Sequence, residues 1–306
     1  MSNKQSTVVV IGVFDGVHAG HRYLLANAKH LAKERDARLV VASFDPHPAS
    51  VLRPDDFLGL LTLPKRRTQL LKDQGVDAVE YLPFDEDFRT LTPDEFVEQV
   101  IVDQLGASVV VVGRNFRFGY KAAGDTEVLQ SLASKYGIEV HVLELKGDTS
   151  TWSSSRIRKH IIEGEVEQAH ALLGRLHRLT GVVVHGDHRG RELGFPTANL
   201  EVEKPLVIPA DGVYSGLLIS GDVSYPAAIS IGTNPTFDDV FERRVEAYVL
   251  DETDLDLYGQ RVDVDFIARI RGMQAFSSID DLMTAMQQDV AVSRAQIDDF
   301  LETQGH

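Results

Sequence analysis

The chain has 306 residues, of which 43% are hydrophobic and 25% charged, with no cysteine and a formal net charge of -15. At about 100–200 residues per domain the length predicts two domains, and the composition excludes a disordered or fibrous chain. The missing cysteine removes disulfides, thiolate nucleophiles and cysteine-based zinc sites, the negative field disfavours extended DNA or RNA binding, and no apolar run approaches the roughly 20 residues that span a bilayer.

"MSNKQST" carries no basic segment with a long apolar core, so a cytoplasmic protein with no membrane partner is expected. "TVVVIGVF" then opens as a buried strand, followed by a helix-like Arg22 to Arg35 and the strand "RLVVASF". The proline-rich loop "DPHPASVLRP" leads to helical "PKRRTQLLKDQG" and the strand "VDAVEYLPF". A helix from Pro93 to Leu105, apolar "SVVVVG", a helix near Thr126 to Tyr136 and "IEVHVLEL" complete the alternation. Near-continuous valine runs separated by helices predict a parallel sheet covered on both faces.

"RIRKHIIEGEVEQAHALLG" continues as helix, and beyond residue 174 the rhythm changes. "RLTGVVVHG", "GVYSGLLISG", "SYPAAISIG", "RRVEAYVL" and "VDVDFIARI" are short, turn-bounded runs that predict an antiparallel barrel or sandwich, and Ser278 to Glu302 has apolar residues at helical spacing. The reading is an α/β domain over residues 1–176 and a β domain with a C-terminal helix over 177–306.

Where the first strand hands over to the first helix stands "GVHAGH", with Gly16, Gly20, His18 and His21. Parallel sheets bind ligands at the carboxyl ends of their strands, glycines let backbone approach a phosphate, and a helix N-terminus carries about half a positive charge. Residues three apart share a helix face, so both imidazoles can address one group. A helix end contributes about 0.3–1 kcal/mol, whereas enzymes lower barriers by about 8–23 kcal/mol. The imidazoles are therefore candidates for stabilising charge during attack on phosphorus.

In "WSSSRIR", Ser154 and Ser155 are N-cap candidates, and Arg158 one turn on can place a guanidinium near a bound triphosphate. In "GRNFRFGYKAAGD", Asn115, Phe116 and Phe118 follow a valine strand; the rings can stack on a base or an isoalloxazine, or belong to the core of a plain loop. "HGDHRGRELGFPTANL" brackets basic residues with glycines before Thr197 and Asn199, whose oxygens project to one side of an extended segment and suit Mg²⁺. The same stretch, taken alone, is a turn followed by a polar strand edge.

The string "GVFDGVHAGH", followed in order by "FDPHP" at 44–48, "GRNFRFGYKAAGD" and "WSSSRIR", resembles the nucleotidylyltransferase superfamily. Within it the likeness is to the adenylyltransferase half of bacterial bifunctional riboflavin kinase/FMN adenylyltransferases, the FAD synthetases. "PTAN", "IPADGVYSG" at 208–216, "IGTNPTF" at 231–237, "RRVEAYVLD" at 243–251 and the pattern from Tyr258 to Leu282 resemble that family's riboflavin kinase half. The resemblance implies a doubly wound, Rossmann-like sheet followed by an antiparallel β-barrel with a C-terminal helix. It implies that riboflavin and ATP give FMN and ADP, and that FMN and a second ATP give FAD and pyrophosphate, with Mg²⁺ as cofactor and these small molecules as partners.

The same resemblance assigns residues. Gly12, Phe14, Gly16, His18, Gly20, His21, Ser154, Ser155 and Arg158 would contact the first ATP, with His18 and His21 catalytic. Asp45, His47, Asn115, Phe116 and Phe118 would contact flavin. Gly190, Gly194, Thr197 and Asn199 would contact the second ATP, Thr197 and Asn199 its metal, and Glu246 would take the proton from the ribityl 5′-hydroxyl. The sequence departs from the family at Ser155, where threonine is usual, at Tyr248, where histidine is frequent, and at "GRLH", which lacks a proline. The rival readings are a chain with only one of the two activities, or a nonenzymatic flavin or nucleotide sensor.

Overall fold

The computed structural model describes residues 6–144, 152–185, 195–233, 243–252 and 255–304. They form two compact units, Met1–Ser154 and Ser155–His306.

The first unit is a five-stranded parallel sheet in the order β3-β2-β1-β4-β5. Its strands are β1 (Thr7–Ile11), β2 (Arg38–Asp45), β3 (Ala78–Pro83), β4 (Val109–Gly113) and β5 (Glu139–Leu143). Helices α1 (Ala19–Glu34), α2 (Pro48–Leu52), α3 (Pro64–Asp73), α4 (Glu86–Thr90), α5 (Pro93–Glu95) and α6 (Thr126–Ser134) connect them, with π-helical Phe96–Gln104 continuing α5. Alternation divides each valine run between two cores. Val9, Ile11, Val40, Val110 and Val112 pack with Val97, Ile101 and Leu129, while Val8, Val10, Leu39, Val41 and Val111 pack with Leu25, Ala28 and Leu71. The sheet is covered on both faces, as its apolar runs require.

The first helix begins at Ala19 rather than Arg22, with His18 in extended backbone at its N-cap position and the His18 carbonyl accepting from the Arg22 amide at 3.0 Å. The proline-rich segment holds α2 and a 3₁₀ turn at Pro54–Asp56, each with proline in its first turn, where a missing N–H costs nothing.

In the second unit the helical stretch is broken into α7 (Ser154–Ile162), which starts at the last residue of the first unit, and α8 (Val166–Leu173). Gly164, at φ 79°, turns the chain between them. Six antiparallel strands then close a barrel in the order β10-β7-β6-β11-β8-β9, which decides between barrel and sandwich. They are β6 (His177–Val184), β7 (Thr197–Val202), β8 (Gly212–Ser220), β9 (Val223–Thr233), β10 (Arg243–Val249) and β11 (Arg261–Arg271). Val245, Ala247, Ile229, Ile231, Leu218 and Phe266 are buried in it. Helix α8 packs on β6 and β11, and the C-terminal helix α9 (Ile279–Gln304) packs on β8, β9 and β11.

Candidate active sites

β1 reaches α1 through a loop whose φ is 53° at Phe14, 84° at Gly16 and 39° at Val17. Left-handed backbone is free for glycine but costs about 1–3 kcal/mol at phenylalanine or β-branched valine, so surrounding groups must impose it. Asp15, with no exposed surface, accepts from the amides of Leu61 at 2.9 Å and Thr62 at 2.9 Å and from the Thr62 hydroxyl at 3.1 Å. The Gly16 amide donates to that same hydroxyl at 3.0 Å. Arg67, 1% exposed, donates to the carbonyls of Val13 and Thr62 and to Ser43 Oγ, and its guanidinium lies 4.0 Å from the Asp15 carboxylate. Ser154 Oγ, at the end of the first unit, donates to the Asp15 carbonyl at 2.8 Å.

This scaffold presents the two imidazoles. His18 stands at the N-cap position of α1 and is 4% exposed, and its ring stacks on that of His21 with centroids 3.7 Å apart and planes 20° from parallel. The Phe14 ring lies 4.9 Å from His21. A Cβ on Gly20 would stand 3.2 Å from the His18 ring and 3.3 Å from Trp152 Cβ, so a larger residue there would push the ring or Trp152 back by a few tenths of an ångström. No acidic residue occupies the first turn of α1, which leaves its positive end available to an anion.

The loop opens onto a cavity of about 600 Å³, the size of a cofactor site. Gly12, Phe14, His18, Gly20, His21 and Ser154 line one part of it; Phe44, Phe84, Phe88, Phe96, Asn115, Phe116 and Phe118 line the rest. Phe116 and Phe118 stack with centroids 5.6 Å apart, and hydrogen bonds between Phe118 and Gly124 pin their loop. Asp125 ends that loop and caps α6; the amide of Val128, and then that of Glu127, holds its carboxyl below the usual carboxylate range.

Nine of the expected residues thus surround one cavity, with Gly16 in its loop. Ser155 follows Ser154 on α7 and Arg158 is buried on the same helix. Asp45 is exposed and His47 half-buried; His47 Nδ1 accepts from the Ala49 amide at 3.0 Å to cap α2. Neither lines the cavity, whereas their neighbours Phe44 and Pro48 do. Sequence reasoning missed Asp15, Thr62 and Arg67. Asp15 stood in view inside the motif as a carboxylate between apolar neighbours, but nothing local links it to Thr62 or Arg67.

The second site is made by strand register. β7 and β10 pair antiparallel with Thr197 opposite Tyr248 and Asn199 opposite Glu246, and β9 sets Ser230 against Glu246. Directly opposed residues share a face, so Thr197, Asn199, Glu246, Tyr248 and Ser230 project together from the outside of the barrel, while Val245 and Ala247 fill its interior. Thr197 Oγ1 donates to Glu246 Oε2 at 3.3 Å. A groove of about 320 Å³ runs over this face, bounded by Phe195, Thr197, Glu246 and Tyr248 on one side and Met273, Phe276, Leu282 and Met286 on the other. Arg271 also lines it and is held by Asp289 through two bonds, of 2.9 and 2.7 Å. The Thr197 hydroxyl and the Asn199 amide, both hard oxygen donors beside a carboxylate, fit a small divalent cation that keeps several waters. Gly190 and Gly194 lie outside the described residues.

The family model described as FAD synthetase matches residues 1–156, and the one described as riboflavin kinase matches 173–297. The bifunctional riboflavin kinase/FMN adenylyltransferase of Escherichia coli (strain K12) is 33% identical over 294 residues, covering 95% of this chain and 93% of that protein. The protein of the same name from Pseudomonas fluorescens is 36% identical over 292 residues, covering 94% and 92%. A crystal structure titled a macrolide-efflux protein, from Streptococcus pneumoniae, superposes with a TM-score of 0.86 at 35% identity, covering 96% of this chain and 95% of that one. Among the described residues of the present chain, no helix is long and apolar enough to cross a membrane.

Proposed function

From the premise that the chain belongs to the bifunctional riboflavin kinase/FMN adenylyltransferase family, we propose that it makes FAD in two ATP-dependent steps performed at two separate sites. Riboflavin and ATP give FMN and ADP, and FMN and a second ATP give FAD and pyrophosphate. The observation that carries this reading is that each unit has its own cavity or groove, one lined by the paired imidazoles and the other by Thr197 and Glu246. We assign adenylyl transfer to residues 1–176 and phosphoryl transfer to 177–306.

In the kinase step Glu246 accepts the proton of the ribityl 5′-hydroxyl as its oxygen attacks the γ-phosphorus and ADP leaves. The hydrogen bond from Thr197 orients that carboxylate. Thr197 and Asn199 are the residues to hold Mg²⁺, which when bound neutralises charge on the transferring phosphate. Backbone amides around Gly190 and Gly194 are assigned to the phosphate tail. The apolar wall of Met273, Phe276, Leu282 and Met286 suits a flat aromatic ring.

In the adenylyl step a phosphate oxygen of FMN attacks the α-phosphorus of ATP and pyrophosphate departs, with no covalent enzyme intermediate. His18, His21 and the N-terminus of α1 stabilise the charge that builds on the phosphate oxygens, and Ser154, Ser155 and Arg158 hold the departing tail. Gly12, Gly16 and Gly20 allow close backbone approach, Phe14 packs behind His21, and Asn115, Phe116 and Phe118 with Asp45 and His47 are assigned to the flavin. The partners are small molecules in the cytoplasm, with neither nucleic acid nor membrane.

Incubation with riboflavin, ATP and Mg²⁺, with the flavins separated over time, tests this. FMN should appear first and FAD after it. FMN accumulating without FAD removes the assignment of the first unit, and conversion of supplied FMN but not of riboflavin removes that of the second.

A further inference from the structure

The nucleotide loop is held from behind by groups that none of the site assignments includes. The Thr62 hydroxyl makes two bonds at once, accepting from the Gly16 amide at 3.0 Å and donating to Asp15 Oδ1 at 3.1 Å. It therefore ties together two consecutive residues where the backbone enters its left-handed stretch, φ 84° at Gly16 and 39° at Val17. The amides of Leu61 and Thr62 complete the ring around the Asp15 carboxylate. Behind them Arg67, on α3, reaches Val13 O at 3.2 Å, Ser43 Oγ at 3.2 Å and Thr62 O at 3.3 Å, so one buried guanidinium spans the exit of β1, strand β2 and the Thr62 segment.

We propose that Thr62 and Arg67 are positioning residues for adenylyl transfer: a buried polar latch that fixes the loop carrying His18 and His21. The proposal rests on the reading that the first unit joins ATP to FMN. Neither residue lines the cavity, so neither touches nucleotide; both act through the loop. Their bonds run to that loop and its support; the Thr62 hydroxyl makes none to the aromatic part of the cavity, whereas Arg67 also reaches the Phe44 carbonyl there, at 3.4 Å. In a buried polar network the loss of one member leaves the others desolvated and unmatched, so the loop relaxes from its strained path and the imidazoles move. Phe96, Phe116 and Phe118 have no bond to the latch, so the flavin part of the cavity should be spared when the Thr62 hydroxyl is removed.

The test is a kinetic split on the full chain, with KM for ATP, KM for FMN and kcat of FAD formation measured for wild type, Thr62→Val, Thr62→Ser and Arg67→Lys. Valine keeps the shape of threonine and removes both bonds; serine keeps them. A displacement of about 1 Å costs on the order of 10²-fold, so Thr62→Val should lower kcat/KM for ATP by roughly 10–100-fold. KM for FMN should stay within about twofold, and Thr62→Ser should recover to within about threefold of wild type. Arg67→Lys, which keeps charge but loses the fork, should fall between them, and if it fails to fold the Thr62 pair decides alone. Four results overturn the latch. Thr62→Val could leave kcat/KM for ATP within about threefold, serine could be no better than valine, or the ATP and FMN parameters could worsen together. Loss of all FAD formation in Thr62→Val with a lowered unfolding temperature equally counts against it, since that describes a scaffold residue. Absence of FAD formation in the wild-type chain would instead remove the underlying reading.

Discussion

The two units build their proposed phosphate sites by different means. The first uses a loop between a parallel strand and a helix, so that ten consecutive residues, Gly12 to His21, bring glycines, imidazoles and a helix end to one spot, on a strained backbone path that the groups packed behind it impose. The second uses no such loop among its described residues. Its Glu246 meets Thr197 across an antiparallel ladder, 49 positions apart in sequence, and the face they share is half-buried rather than enclosed. A strained loop can place ring nitrogens tightly but depends on what stands behind it, whereas a ladder places side chains by register and needs little further support.

That contrast can be broken or sharpened by substitution, because each unit supplies the control for the other. The largest effect is expected from Glu246→Ala, which removes the proposed proton acceptor: kcat for FMN formation should drop by about 10²–10⁴-fold, with conversion of supplied FMN to FAD unchanged. His21→Ala should do the reverse, lowering FAD formation by about 10²–10³-fold and sparing the kinase step. Loss of both activities from either change, with the unfolding temperature unaltered, would mean that the two units share a site. Thr197→Val should raise the Mg²⁺ concentration for half-maximal kinase rate by roughly 10–100-fold, read from a metal titration, and should leave the metal dependence of FAD formation where it was. The smallest effect is expected at Phe116→Ala, where the loss of one stacking face should raise KM for FMN in the adenylyl step by about tenfold and leave KM for riboflavin untouched.

The same difference decided what could be read from the sequence. The parallel sheet followed from valine runs and the C-terminal helix from apolar residues at helical spacing, whereas turn-bounded strands left barrel and sandwich open, which the closed strand order decides. The site proposed for the first phosphate tail was legible as chemistry, since its parts are contiguous and sit where a strand hands over to a helix. Glu246 was not: a strand glutamate between Val245 and Ala247 resembles any solvated surface residue until the ladder sets it beside Asn199 and Thr197, and only the likeness to a known family singled it out. Thr62 and Arg67 escaped both routes, because a buried hydroxyl and a guanidinium 47 and 52 residues from Asp15 carry no local periodic or motif signal. The short helix α2 was concealed by prolines that look like loop punctuation yet sit in a first turn, and the break at Gly164 was masked by helix formers on either side.

Titration of the flavin-free chain with ATP and Mg²⁺, followed by calorimetry, tests most directly whether one polypeptide holds two separate nucleotide sites. Without a flavin acceptor neither reaction proceeds, so the measured heat counts sites. The account expects two ATP molecules bound per chain; one per chain, displaced alike by changes at His21 and at Glu246, would contradict it.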